Sequence, residues 1–182
     1  LFNLATTAVL LPFSKMLVFL ANRIVKDSKD EKEDEILLDE RLLATPSVAV
    51  AHCNSLTVKM SAIARDALVQ SLDVLNVYDK EMATAIEESE GVVDRYEDEL
   101  GTYLVKLSSA EITMKDSRSV STMLHSIGNF ERISDHAVEI MKTAEELHDK
   151  KLCFSAEAQK EVSVLESAIR EIVDITFTAF ES

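Results

Sequence analysis

From Ser47 to Ser182 the chain contains no proline, and over that stretch glycine occurs only at 91, 101 and 128. Proline most surely breaks a helix interior, and glycine is the next most costly residue there. So few breakers, in a chain rich in Ala, Leu, Ile, Glu and Lys, predict a nearly all-helical fold. At 182 residues this is one domain, or one domain with an appendage, long enough to bury a real core.

Apolar residues at three-and-four spacing divide the chain into four helices. Thr45 as cap and Pro46 as first residue open helix one, which runs to about Asn76 with Leu56, Met60, Ile63, Ala67 and Val74 on its apolar side. Asp79 caps helix two, whose heptad seam to about Leu107 reads Ala83, Ile86, Glu90, Val93, Glu97, Leu100, Leu104, Leu107. Thr113 to Asp116 resembles a capping box and starts helix three, which continues to about Lys150. Helix four begins at Ser155, with Phe154 as a staple and Val162, Leu165, Ile169 and Ile172 on one face. Short loops make neighbouring helices antiparallel, so helices two and three form a hairpin. The bundle is expected over residues 45–182.

Residues 1–26 have a different character. No charge precedes Lys15 and none lies between Lys15 and Arg23, which gives the length of a membrane span. Pro12 and Lys15 work against that reading, and a buried or partner-bound helix is the alternative. Arg23 and Lys26 follow at once, and positive flanks stay on the cytoplasmic side, so the bundle is expected at the cytoplasmic face of the cell membrane. Residues 27–44 read as an acidic linker or exposed helical turn. The start at Leu1 and the lack of a helix-ending signal before Ser182 suggest a fragment of a longer protein.

A formal net charge of −14 argues against nucleic acid as a partner and favours cations. Cys53 and Cys153 have neither zinc-finger spacing nor the density of a disulfide scaffold, and read as reduced thiols. The chemistry lies in the acids. On helix three, the row Leu124, Gly128, Glu131, Asp135, Val138 reads as a buried seam interrupted by two carboxylates four residues apart, which face one point in space. Burying unpaired carboxylates is costly unless a partner or a metal compensates. Glu90 and Asp94 repeat the spacing on helix two, around Gly91, and Glu97 is a candidate fifth ligand. The hairpin brings the two pairs face to face. Such an oxygen-only set suits magnesium, manganese, calcium or iron, and does not by itself select copper or zinc. His136 points about 100° away from Asp135 and reads as a supporting or packing residue.

Two other readings compete. A ferritin-like redox site needs two Glu-x-x-His motifs, and only Glu145 to His148 has that spacing, roughly 20 Å from Glu131. A structural bundle that mediates oligomerisation would carry its acids on solvated faces, and among 33 acidic residues one such pair means little. Nothing points to a nucleophile with its base, a phosphate-cradling loop or a dinucleotide fingerprint, so no enzyme is expected.

The segment Asn129-Phe130-Glu131-Arg132-Ile133-Ser134-Asp135-His136-Ala137-Val138-Glu139-Ile140 resembles the signature of the PhoU family of phosphate-transport regulators, and Glu90 to Asp94 resembles its counterpart on the preceding helix. The likeness covers about residues 46–150. It implies an all-α, PhoU-like antiparallel bundle: one three-helix repeat, helix four as the first helix of a second repeat, and the apolar helix ahead of them. It also implies Glu90, Asp94, Glu131 and Asp135 as ligands of a metal, iron, manganese or magnesium, with zinc a further option. Leu1-Phe2-Asn3-Leu4, the apolar segment, the acidic linker and the PhoU-like repeat together resemble bacterial sodium/phosphate cotransporters. That implies a regulatory tail with the membrane domain of the same transporter as its partner, and leaves the apolar face of helix four needing a further one, such as the helix at residues 1–25 or a second copy of the chain in a homo-oligomer. The Ser-rich substrate motifs of those transporters and a second copy of the signature are absent from this sequence.

Overall fold

The computed structural model describes residues 38–181, so the apolar segment 1–26 and most of the expected linker lie outside the described residues. A 3-10 turn, Glu40–Ala44, leads into α1 (Pro46–Asn76), α2 (Lys80–Ser108), α3 (Met114–Asp149) and α4 (Ala156–Glu181), and there is no strand among the described residues. No helix among them is long and apolar enough to cross a membrane. Short connections leave successive helices no choice but to reverse direction.

The helix starts follow local chemistry. Asp79 accepts the Met82 amide at 2.9 Å, Thr113 accepts the Asp116 amide at 3.1 Å, and Ser155 accepts the Ala158 amide at 3.2 Å. Each bond satisfies an amide that the first helical turn leaves unpaired. Thr45 departs from expectation. Its hydroxyl donates to the Leu42 carbonyl, so α1 opens on Pro46 without a side-chain cap. At the far end of α3, Lys151 adopts a left-handed conformation, φ 52°, and the Leu152 amide reaches back to the Leu147 carbonyl.

Residues 38–44 are not a free linker. Leu38, Leu42 and Leu43 pack against the core, Tyr103 donates its hydroxyl to the Asp39 carbonyl at 3.0 Å, and Lys106 pairs with Glu40 at 2.6 Å. The leucines have apolar surface to bury, and that outweighs the polarity of the segment around them.

The core lies among α1, α2 and α3. On α2 the six apolar seam positions are buried as expected, Glu90 and Glu97 are half-buried, and Tyr96 and Tyr103 join the core. On α3 the expected row is out of phase. The buried row is Val120, Met123, Ile127, Phe130, Ser134, Ala137, Met141 and Ala144. The row Leu124, Gly128, Glu131, Val138 runs half-buried along its margin, and Asp135 is exposed. Ser134 breaks the apolar pattern of the true row, which is why the neighbouring row looks like the seam.

α4 docks with Ile169, Val173, Phe177 and Phe180, and both phenylalanines meet Phe130 of α3, with ring centroids 5.6 and 5.0 Å away. Buried Glu166 accepts two hydrogen bonds from the Asn76 amide at 2.9 and 3.1 Å, and Arg170 pairs with Asp73 at 2.6 Å. These polar anchors rotate α4 away from the expected face. Val162 and Ile169 are half-buried, but Leu165 and Ile172 are exposed.

Candidate metal centre

The α2–α3 hairpin brings the two acidic motifs together. One carboxylate oxygen from each of Glu90, Asp94 and Asp135 lies within 4.8 Å of the other two. Oxygen ligands about 2.0–2.6 Å from a hard cation stand roughly 3–5 Å apart around its shell, so the trio matches the span of a single coordination sphere. Glu90 is half-buried while Asp94 and Asp135 are exposed, which leaves an ion there open to solvent on one side. The donors are hard oxygens only, suited to magnesium, manganese, calcium or iron.

Glu131 stands outside that trio but belongs to the same electrostatic unit. Burial raises its pKa first, then the Asp135 charge and a carboxyl–carboxyl hydrogen bond to Asp135, then the charges of Asp94 and Glu97. Burial also raises the pKa of Glu90, aided by the charges of Asp94 and Asp135, while Lys142 opposes the shift. Like charges held together resist ionisation, and any bound cation reverses that penalty. All five acids expected from the sequence therefore gather along one hairpin face: Glu90, Asp94 and Asp135 closest, with Glu131 and Glu97 adjoining. Lys142 was missed. It lies seven residues, two helical turns, after Asp135, and that spacing was the available signal.

One further expectation, that for His136, is corrected by its surroundings. His136 neither supports the acids nor packs inside; it is exposed, and its Nδ1 lies 3.0 Å from Glu139. Glu145 accepts the Tyr78 hydroxyl at 3.2 Å and the His148 ring stacks on Tyr78 at 4.6 Å, so the Glu-x-x-His spacing is used to close the end of the bundle. Cys53 and Cys153 are free thiols, and burial pushes Cys53 up to about 11.

The fold and the acid face together define a helical bundle with a carboxylate-lined hairpin. Residues 57–144 match the PhoU domain, a span that contains all five acids. The chain is 25% identical over 96 residues to a phosphate-specific transport system accessory protein PhoU homolog from Clostridium acetobutylicum, a match covering 52% of this chain and 44% of that protein. The match thus spans less than half the length of the relative. No solved structure matches the chain.

Proposed function

We propose that this chain is a PhoU-like regulatory domain that binds a hard cation at Glu90, Asp94 and Asp135, with Glu131 and Glu97 adjoining, and acts in the control of phosphate transport. The juxtaposition of the two acidic motifs inside the PhoU-matched span carries the reading. The metal, iron, manganese or magnesium, would tie α2 to α3 and neutralise their mutual repulsion. The role is regulatory rather than catalytic. The apolar segment 1–26, with Arg23 and Lys26 behind it, supports attachment to the membrane domain of a sodium-dependent phosphate transporter, with the bundle on the cytoplasmic side.

The deciding experiment is elemental analysis and calorimetric titration with manganese and magnesium of the chain beside its Glu131→Gln and Asp135→Asn variants. Asp135→Asn removes a member of the closest trio and is expected to weaken binding at least tenfold; Glu131→Gln is expected to weaken it less. Equal metal content and affinity in all three proteins would reject the site. Transport by the intact protein with and without this domain tests the regulatory part, and identical phosphate uptake under phosphate starvation and excess would reject it.

The exposure of Asp94 and Asp135 favours one second reading: a structural bundle that mediates oligomerisation, its acids simply solvated. That reading requires a melting temperature insensitive to chelator, because a ligand that binds only the folded state raises stability.

A further inference from the structure

The acid face of the α2–α3 hairpin ends in a base. On α3, Asp135, Val138 and Lys142 follow one another at steps of three and four, so they share one side of the helix. α2 runs antiparallel to α3, and the step from Asp94 back to Glu90 therefore goes the same way as the step from Asp135 on to Lys142. Glu90 lies one turn, roughly 6 Å, past Asp94, and Lys142 lies two turns, roughly 10 Å, past Asp135. With one oxygen from each of Glu90, Asp94 and Asp135 within 4.8 Å of the others, this register sets Lys142 just beyond Glu90. The flexible four-carbon stem of a lysine spans the difference.

The acids beside Lys142 on its own helix are engaged elsewhere. Glu139 lies 3.0 Å from the His136 ring, Glu145 accepts the Tyr78 hydroxyl at 3.2 Å, and Glu146 pairs with Lys150. Of the side chains whose charges act most on Glu90, Asp94, Asp135 and Glu87 are acidic and Lys142 alone is basic. Its charge reaches Glu90 through space, without a hydrogen bond between the two. An ammonium held there attracts the same carboxylate that an incoming cation needs, and it repels that cation in proportion to the cation's charge. Lys142 is exposed, so its role lies in this field and not in packing.

Resting on the cation-binding reading of Glu90, Asp94 and Asp135, we propose that Lys142 sets the affinity of that site: its ammonium competes with the bound cation for Glu90, so that occupancy follows the cation concentration around the protein instead of being permanent. Lys142 is not a ligand. It acts through Glu90 and through its own charge, and it weakens binding of a trivalent ion more than that of a divalent one.

The test is calorimetric titration of the full chain with manganese and with terbium, beside its Lys142→Met, Lys142→Arg and Lys160→Met variants. Lys160 is exposed on α4, off the hairpin, and its replacement removes the same charge from the molecule. In Lys142→Met the affinity is expected to rise about fivefold for manganese and about tenfold for terbium, because the repulsion scales with the charge of the ion. Lys142→Arg keeps the charge and should stay within about twofold of the native chain, as should Lys160→Met. The gain in Lys142→Met should shrink as sodium chloride rises from about 0.01 M to about 0.1 M, because screening shortens the reach of the charge. Affinity unchanged or lowered in Lys142→Met, while the native chain binds manganese, would overturn the role of Lys142 and leave the site standing. An equal gain in Lys160→Met would reduce the effect to net charge and overturn it as well. If none of the four proteins binds manganese or terbium, the cation site itself is rejected, and the role of Lys142 with it.

Discussion

Glu90 and Glu131 carry the residue-scale consequences of the acid face. Both are half-buried among like charges, and both have pKa values raised above the ordinary 4.5. The folded state therefore holds their protons more tightly than the unfolded chain. The stability they contribute is fully present below the ordinary value and is lost as pH rises through the raised ones. In chelator, thermal melts are expected to show these two groups opposing stability at pH 7 relative to pH 5, and Glu90→Gln/Glu131→Gln should flatten that part of the pH profile; an unchanged profile would count against the shared field. Saturating manganese should reverse the sign for the native chain, because the ion competes with the protons. Ser134 poses a different residue-scale question. Thr57, Ser61 and Ser71 are also buried, but each donates to a carbonyl of its own helix, at 2.8, 2.8 and 2.7 Å. The Ser134 hydroxyl is buried without a hydrogen-bond partner. An unsatisfied buried hydroxyl costs about 1–3 kcal/mol, so Ser134→Ala is expected to stabilise the bundle by about 1 kcal/mol in urea denaturation. A loss of stability would show that the hydroxyl is satisfied in solution.

At the scale of the element, the helices were legible because their signals are local. Asp79, Thr113 and Ser155 announce their own helix starts, and the scarcity of breakers announces the lengths. The phase of α3 was not legible, because Ser134 in the true core row and half-buried Leu124 and Val138 in the neighbouring row give two nearly equal patterns. Glu131 and Asp135 were consequently found for a partly mistaken reason. They line the margin of the α2–α3 interface rather than interrupt its core, and it is their spacing, not their burial, that turns them toward the acids of α2. The docked face of α4 was illegible for a related reason: Glu166 is buried, and the Asn76 that satisfies it lies 90 residues earlier. α4 also depends on few anchors. Phe177 is 2% exposed and meets Phe130 across the interface. Phe→Ala in a core costs about 3–5 kcal/mol, enough to release a helix held on one side. In Phe177→Ala, amide exchange is expected to accelerate along α4 while the interiors of α1, α2 and α3 stay protected. Uniform acceleration through all four helices would instead make α4 an integral part of one cooperative unit.

For the whole molecule, the balance of charge sets the conditions under which the bundle is most stable. Nineteen basic residues face thirty-three acidic ones, and the excess repels itself most strongly in the compact state. Salt should relieve part of this. Screening lengths fall from about 30 Å at 0.01 M to about 10 Å at 0.1 M, so the melting temperature is expected to rise with sodium chloride and level off by roughly that concentration. General screening and a specific ion then separate cleanly. Once sodium chloride has exhausted its effect, a cation bound only by the folded state at 100 times its Kd adds about 2.7 kcal/mol, several degrees for a domain of this size. Manganese or magnesium at millimolar concentration is therefore expected to raise the melting temperature further in saturating salt. The increment should disappear in Asp94→Asn/Asp135→Asn and on addition of chelator. If the divalent increment persists in that double variant, the stabilisation comes from the acidic surface as a whole. If it is absent from the native chain as well, the carboxylates of the hairpin are solvated side chains and the bundle's role rests on its packing surfaces alone.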